Sequence, residues 1–279
     1  MGTKVMGNVT KTENENSINK IKKILDIFTS SEASIRPHFI LTGPSGAGKT
    51  YNIKLLAETY DLNYMEVNAA QLTKEGTSGN SLSKALSPLI NSAGKLTVCF
   101  VDEFDKLFIS GNSNSHLAHE TTNGVQNEFL KVLESDHTSV YSDYGKYMDV
   151  ASDKVLFIFA GAFNGEEDIT IDRLREFGIK TEFLGRVGLI YNLKKLTLDE
   201  LSLILNNSKL LDSYLTLFPD VKRETVVSSV MEVIKENYEK NTLGARLLTT
   251  LLNKYFIEGG KLKPEAAKQV SFQKVLSLN

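Results

Sequence analysis

A glycine-rich segment at residues 43–50, with the sequence GPSGAGKT, constrains the fold of this chain more than any other feature. An apolar run at 38–42 predicts a strand before it, and residues 50–58 predict a helix after it. Glycines let consecutive backbone N–H groups turn toward phosphate oxygens, and the partial positive charge of the helix N-terminus adds to the attraction. The spacing G-x-x-x-x-G-K-[ST] in this strand–loop–helix context predicts the phosphate-binding loop of a nucleoside triphosphatase.

Every residue of this loop is a predicted nucleotide ligand: Gly43, Pro44, Ser45, Gly46, Ala47, Gly48, Lys49 and Thr50. The ammonium group of Lys49 is expected to contact the β- and γ-phosphates, which also gives it a catalytic role. The hydroxyl group of Thr50 is expected to bind Mg²⁺. The loop therefore predicts a nucleoside triphosphate and a magnesium ion as its ligands.

Two adjacent carboxylates follow a second apolar run and supply the other half of the predicted site. The run at 98–101 has no polar alternation, which is typical of a strand covered on both faces, and it ends at Asp102 and Glu103. Asp102 fits the acid on the Mg²⁺ side, and Glu103 fits the base that orients and polarises the attacking water. The guanine-specific sequence Asn-Lys-x-Asp is missing, so the two motifs together predict an enzyme that hydrolyses ATP.

The order of the predicted elements indicates an α/β fold, a P-loop NTPase with a parallel five-stranded sheet and helices on both faces. Short apolar runs predict core strands at 38–42, 64–67, 96–101, 155–160 and 188–193, with a hairpin at 140–150. Beyond residue 194 the apolar residues recur only at helical spacing. We therefore expect a flexible tail at 1–17, a large ATPase domain at 18–193 and a small α-helical domain at 194–279.

Composition and charge argue against several other classes of protein. The formal net charge of -2 gives no basic footprint for nucleic acid. The single cysteine, Cys99, excludes an internal disulfide and is expected to be a buried small hydrophobe. No apolar run approaches the ~18 residues needed to span a membrane, and the N-terminus lacks the apolar region of a signal peptide. A cytoplasmic protein with no membrane partner is therefore expected.

Six motifs along the chain extend this pattern. They are the phosphate loop, FVDEFDK at 100–106, GVQ at 124–126, LFI at 156–158 with AGAF at 160–163, FGIKTEFLGR at 177–186 and LGAR at 243–246. Together they resemble AAA+ ATPases of the Clp/HslU branch, and within it the ClpX family of unfoldases. The resemblance covers most of the chain from about residue 18 onward, and the Glu-Phe-x-Gly-Arg and Gly-Ala-Arg segments are rather specific to this branch.

The resemblance implies roles for two arginines and a form of assembly. Arg186 would be an arginine finger that reaches the ATP of the neighbouring subunit, and Arg246 would contact the γ-phosphate from the small domain. Guanidinium groups stabilise the charge on a phosphoryl group during transfer. Asn164 is a further candidate from its position alone: it follows the fourth core strand and would sense the γ-phosphate, where ClpX-like chains usually have a small residue. The resemblance also implies a hexameric homo-oligomer with ATP between its subunits.

Three departures from the ClpX family bear on the partners. The N-terminal tail has no cysteines for the family's zinc-binding domain. Only residues 165–172 stand where the family carries a peptidase-docking insertion, so a ClpP-like peptidase is not expected. The pore loop at 76–79 reads GTSG instead of Gly-aromatic-hydrophobic-Gly. Thr77 and Ser78 bury less apolar area, which weakens the grip on a threaded polypeptide by roughly 1–2 kcal/mol per engaged subunit.

Three functions remain open at this point. The first is an ATPase that remodels or unfolds proteins as a ring-shaped oligomer without a bound peptidase. The second is a nucleic-acid-associated ATPase, such as a helicase loader or a regulator of transposition or packaging, with Lys20, Lys22 and Lys23 along a strand-binding face. The third is a scaffold that holds ATP with little turnover, against which Glu103 and Arg186 argue.

Overall fold

The computed structural model describes residues 12–73, 80–92, 94–108, 116–142, 145–240, 243–260 and 262, with the backbone alone at 116–121. These residues divide into two compact units. The first runs to Pro44 and resumes over Lys49–Lys194, and the second joins Ser45–Gly48 to the chain from Lys195 onward. The pore-loop residues 76–79 lie outside the described residues.

Strands and helices alternate along the first unit, and helices fill the described part of the second. The strands are β1 (Phe39–Thr42), β2 (Asn63–Asn68), β3 (Thr97–Asp102), β4 (His137–Tyr141), β5 (Tyr147–Ala151), β6 (Val155–Gly161) and β7 (Leu189–Asn192). The α-helices are α1 (Glu13–Ser30), α2 (Lys49–Thr59), α3 (Leu82–Ala85), α4 (His116–Glu134), α5 (Ile171–Glu176), α6 (Thr181–Arg186), α7 (Leu198–Asn206), α8 (Lys209–Leu217), α9 (Arg223–Glu236) and α10 (Arg246–Ile257). Within the described ranges, none of these helices is both long and apolar enough to cross a membrane.

Five of the strands form one parallel sheet in the order β2–β3–β6–β1–β7. Strands β1, β3 and β6 are buried along nearly their whole length, which explains their continuous apolar sequences. Thr42 of β1 is in register with Gly161 of β6, and Val101 of β3 is in register with Phe159. The carboxyl ends of these strands therefore meet at one edge of the sheet. The predicted α/β fold with a parallel five-stranded sheet is confirmed, and β4 and β5 form the predicted hairpin.

Four buried phenylalanine rings fix helices α4 and α6 against this sheet. Phe104 follows β3, Phe159 lies in β6, Phe129 lies on α4 and Phe183 lies on α6. The ring centroid of Phe159 lies 4.8 Å from that of Phe104, 5.2 Å from that of Phe129 and 4.9 Å from that of Phe183. Aromatic pairs of this kind contribute about 0.5–1.5 kcal/mol beyond the area that they bury. The cluster therefore ties both helices to the edge where the strands end.

The second unit buries an apolar core of its own. A capping box starts α7: the hydroxyl of Thr197 accepts the N–H of Glu200 at 3.2 Å, and the carboxylate of Glu200 accepts the N–H of Thr197 at 2.8 Å. Leu205 of α7, Ile234 of α9 and Leu251 of α10 are buried together in one cluster. This burial accounts for the helical spacing of the apolar residues in this part of the sequence.

The predicted tail at 1–17 is wrong for its last residues, because α1 begins at Glu13. The hydroxyl of Thr12 accepts the N–H of Glu15 at 3.2 Å and caps the helix. The side chain of Asn14 accepts the N–H of Lys194 at 2.7 Å, and the hydroxyl of Ser17 donates to a carbonyl at the end of β7 at 3.0 Å. Polar contacts fix this first turn, and apolar periodicity could not reveal them. Residues 1–11 lie outside the described residues.

Candidate active site

The phosphate loop needs glycine at several of its positions. Gly43, Gly46 and Gly48 have φ angles of +146°, +76° and +84°, a region that other residues rarely adopt. A Cβ atom at Gly43 would lie 2.6 Å from the carbonyl oxygen of Leu193. Helix α2 begins directly after these residues, so the positive end of its dipole lies at the loop. The loop therefore has the backbone form that a cradle for phosphate oxygens requires.

Lys49 and Thr50 lie at the mouth of this loop. The ammonium group of Lys49 donates to the carbonyl oxygens of Gly43 at 2.6 Å and Pro44 at 3.2 Å. The hydroxyl oxygen of Thr50 lies 3.4 Å from Oδ2 of Asp102 at the end of β3. Mg²⁺ prefers hard oxygen ligands and keeps several waters, so one hydroxyl and one carboxylate beside a phosphate cradle fit this ion. The two predicted metal ligands are thus neighbours in the structure.

Glu103 follows the end of β3 in a strained backbone conformation. Its φ angle is +54°, and its N–H donates to Oδ1 of Asp102 at 2.8 Å. A left-handed conformation of this kind costs about 1–3 kcal/mol for a residue other than glycine and persists only where the surroundings hold it. Here Val101 before it and Phe104 after it are both fully buried. The turn exposes the carboxylate of Glu103 at the edge where the strands end.

A second strained turn follows β6. Phe163 and Asn164 have φ angles of +44° and +59°, and Asn164 is exposed while Phe163 is buried. The carboxylate of Asp105 accepts the N–H of Phe163 at 3.1 Å and lies 3.6 Å from the ammonium group of Lys106. The side chain of Asp105 is only 2% exposed. Sequence reasoning missed this residue, although an acid among the apolar residues of FVDEFDK was a signal that could have pointed to it.

A second residue that sequence reasoning missed is Asn192 at the end of β7. Its Oδ1 atom accepts the hydroxyl of Thr42 and, at 2.9 Å, the N–H of Ile169. Its Nδ2 atom donates to the carbonyl oxygen of Ile169 at 3.3 Å. The side chain therefore joins the last residue of β1, just before the phosphate loop, to the segment that leads into α5. Because it follows an apolar run, its position at a strand end was the available signal.

Arg186 is the last residue of α6, and its side chain is 56% exposed. Its Nη2 atom lies 2.9 Å from Oε1 of Glu134 at the end of α4. The buried amide of Gln126 on α4 fixes the approach to α6: it donates to the carbonyl oxygen of Gly178 at 3.2 Å and accepts the N–H of Lys180 at 2.9 Å. Helix α4 therefore orients the predicted finger, and the finger faces the surface.

Arg246 is the first residue of α10 in the second unit. Its Nη1 atom donates to the hydroxyl of Ser45 at 3.3 Å, and the N–H of Ala245 donates to the carbonyl oxygen of Gly46 at 3.2 Å. A Cβ atom at Gly244, whose φ angle is +53°, would lie 2.5 Å from that carbonyl oxygen. The Gly-Ala-Arg segment is thus in direct contact with loop residues Ser45 and Gly46, which belong to the same unit.

Two titratable groups are buried at the sheet. His38 precedes β1, and its Nδ1 atom accepts the N–H of Phe157 in β6 at 3.0 Å. Burial and the nearby charge of Arg36 lower the pKa of His38 to about 3, so the ring is neutral at physiological pH. Cys99 in β3 is fully buried, as predicted, and burial raises the pKa of its thiol. Both groups contribute to the strands that carry the site.

Comparison with known families agrees with this geometry. The profile of the ATPase family associated with various cellular activities (AAA) matches residues 39–183, just over half of the chain. This stretch contains the phosphate loop, the two acids at the end of β3 and the turn after β6. The chain belongs to this family and is an ATPase, which confirms the predicted ATP hydrolysis.

Named relatives narrow the class. The chain is 26% identical to the ATP-dependent Clp protease ATP-binding subunit ClpX of Bacteroides thetaiotaomicron, over 84% of this chain and 68% of that protein. It is 25% identical to the ClpX of Porphyromonas gingivalis, over 90% of this chain and 72% of that protein. It is 28% identical to ClpX 2 of Wolinella succinogenes, over 78% of this chain and 64% of that protein. The chain therefore has a ClpX-like AAA+ ATPase core.

Proposed function

We propose that this protein remodels or unfolds other proteins at the expense of ATP, as a ring-shaped homo-oligomer of six subunits without a bound peptidase. The observation that carries the proposal is the placement of the Thr50 hydroxyl 3.4 Å from Asp102 at the mouth of a glycine loop, in a chain similar to ClpX over most of its length. The cytoplasm stays the predicted location.

The residues at the strand ends would have different roles in binding and hydrolysing the triphosphate. The N–H groups of residues 43–50 and the ammonium group of Lys49 would bind the phosphates, while Thr50 and Asp102 would hold Mg²⁺. Magnesium, when bound, would neutralise charge on the β- and γ-phosphate oxygens. Glu103 would accept the proton of the attacking water from its exposed place beside Asp102. Asn164 would donate a hydrogen bond to the γ-phosphate from the turn after β6.

The two arginines would complete the site from different places. The exposure of Arg186 supports a role toward a second subunit, since its guanidinium group is at the surface, where it pairs with the carboxylate of Glu134. Arg246 would contact the γ-phosphate, and its hydrogen bond to the loop residue Ser45 supports this role. Guanidinium donors stabilise the charge that develops on a phosphoryl group in transfer.

A peptidase is left out of the proposal because of the short connection after β6. The strand ends at Gly161 and α5 begins at Ile171, where the ClpX family carries its docking insertion. The relatives are named as subunits of a protease. If a ClpP-like peptidase binds this chain in a pull-down with ATP, that part of the proposal is wrong.

A nucleic-acid-associated ATPase is the second candidate. Lys20, Lys22 and Lys23 are all exposed on α1, and this is the observation that favours it. Binding to single- or double-stranded DNA that weakens steeply with salt would support this candidate. Stimulation of turnover by a protein client, with no such DNA binding, would support the first.

The experiment that tests the proposal uses the variant Glu103→Gln with ATP. Loss of the base should leave ATP bound and trap the assembled ring, together with any protein client. Native mass spectrometry should then show six subunits with nucleotide, and proteins that co-purify only with this variant identify the client. A monomer that retains ATP would contradict the ring, and a variant with wild-type turnover would remove Glu103 as the base.

A further inference from the structure

We propose that Asp105 is a positioning residue that holds Asn164 in a fixed place relative to Glu103, and this inference rests on the proposed roles of those two residues. Asp105 lies two residues after Glu103, in the turn that follows β3. Its carboxylate accepts the N–H of Phe163, the residue before Asn164, at 3.1 Å. One hydrogen bond therefore joins the segment that carries the base to the segment that carries the sensor.

The turn after β6 needs such an anchor. Phe163 and Asn164 both have positive φ angles, and conformations of this kind persist only where the surroundings over-determine them. The N–H of Phe163 donates to a carboxylate from another segment of the chain, and that carboxylate is 2% exposed. A buried carboxylate is costly unless it is hydrogen-bonded. An apolar side chain would fill this place without the cost but could not hold the turn.

Gly161 packs closely against the carboxylate of Asp105. A Cβ atom at Gly161 would lie 2.8 Å from Oδ1 of Asp105 and 2.8 Å from the ring of Phe163. Gly161 is not among the glycines with a positive φ angle, so space rather than backbone conformation requires glycine here. Asp105, Gly161 and Phe163 thus form one close-packed unit that joins the turn after β3 to the turn after β6.

The test compares Asp105→Ala with Asp105→Asn by their kcat and KM for ATP and by their affinity for ADP. Loss of the acceptor should lower kcat by about 10- to 100-fold, because a small misplacement of reacting groups has effects of this size. KM and ADP affinity should stay within about 2-fold, because the contacts that bind the nucleotide equally in the ground state and in the transition state are unaffected. Asp105→Asn keeps an oxygen that can accept the N–H of Phe163 and should restore about half of the kcat.

Ser152→Ala is the matched control. The fully buried Ser152 donates to the carbonyl oxygen of Ser135 at 2.9 Å, in the connection between β5 and β6. Its loss should lower the urea midpoint of unfolding, as Asp105→Ala does, but leave kcat unchanged. A double variant that combines Asp105→Ala with Asn164→Ala adds a measurement of kcat that distinguishes positioning of Asn164 from a purely structural role. If Asp105 acts through Asn164, the double variant should be no slower than the slower single variant.

Three results would overturn the inference: an unchanged kcat in Asp105→Ala, equal losses in the Ala and Asn variants, or additive losses with Asn164→Ala. If Asp105→Ala does not fold, Gly161→Ala replaces it, because the new methyl group displaces the carboxylate of Asp105. An unchanged kcat in Gly161→Ala would then overturn the inference. A wild-type protein without ATP turnover would instead break the proposed function, so the two failures are distinguishable.

Discussion

The turns after β1 and after β6 lie at the same edge of the sheet but reach their conformations by different means. The first turn places glycines at its positive φ angles, at Gly46 and Gly48, where the backbone adopts them without strain. The second places Phe163 and Asn164 there, at a cost of about 1–3 kcal/mol each, and a buried carboxylate holds it. Local backbone freedom is visible in a sequence, whereas strain that tertiary contacts support is not.

Removal of the Lys49 ammonium group should impair ATP binding by the first turn more than the other changes below. Lys49→Ala deletes the ammonium group that would bind the β- and γ-phosphates, and charge-assisted hydrogen bonds of this kind are about twice as strong as neutral ones. ATP affinity should fall by roughly 100-fold or more, with turnover at background. A fluorescent-nucleotide titration measures the effect. Lys54→Ala, an exposed lysine of the same helix, is the control, and normal affinity in Lys49→Ala would contradict the assignment.

A change in the backbone of the first turn should have a smaller but distinct effect. In Gly46→Ala the new Cβ atom would lie 2.0 Å from the carbonyl oxygen of Leu243, so the loop must shift. We expect ATP affinity to fall by about 10-fold or more, besides a stability loss of about 1 kcal/mol from the positive φ angle. Gly94→Ala is the control, since Gly94 has a φ angle of +70° and nothing within 4 Å of the new atom. Equal affinities in the two variants would show that close packing at Gly46 does not matter.

The second turn should respond to glycine in the opposite way. Asn164→Gly relieves the left-handed conformation, whereas Asn164→Ala places a methyl group in it, so the glycine variant should be more stable by about 1 kcal/mol. Both variants should lose the same share of kcat, because both lack the side-chain amide. Urea unfolding and steady-state turnover measure the two effects. An alanine variant as stable as the glycine variant would show that the turn carries no strain.

The strands beneath the two turns should show a dependence of stability on pH through His38, which joins the start of β1 to β6. Its pKa falls from 6.5 in the unfolded chain to about 3 in the folded protein, so between these values the unfolded state binds one more proton. The stability that neutral His38 contributes is therefore complete above pH 6.5 and is lost as the pH falls toward 3. His38→Asn keeps an acceptor for Phe157 without titrating. The wild-type urea midpoint should fall more between pH 7 and 5 than that of this variant; parallel curves would contradict the lowered pKa.

The same contrast explains how much of the site could be predicted. The roles of residues 43–50, Asp102 and Glu103 stay predictions, but their places could be read from the sequence because each lies at or just after a strand end within one short motif. Asp105 and Asn192 were not, because their partners Phe163 and Thr42 are distant in sequence and only the register of β6 and β7 brings them close. The sheet itself followed from the apolar runs. The start of α1 did not, because polar contacts to the end of β7 fix it.

The central claim is that each ATP lies between two subunits, one that supplies Glu103 and one that supplies Arg186. The most direct test is the ATPase activity of a mixture of Glu103→Gln and Arg186→Ala, each inactive alone. In a ring every subunit makes the same head-to-tail contact, so each site combines Glu103 of one subunit with Arg186 of its neighbour. When equal amounts of the two variants assemble at random, roughly a quarter of the sites have both an intact base and an intact finger. We predict recovery of about a quarter of the wild-type rate per subunit on mixing. A mixture that stays as inactive as its components would contradict the account.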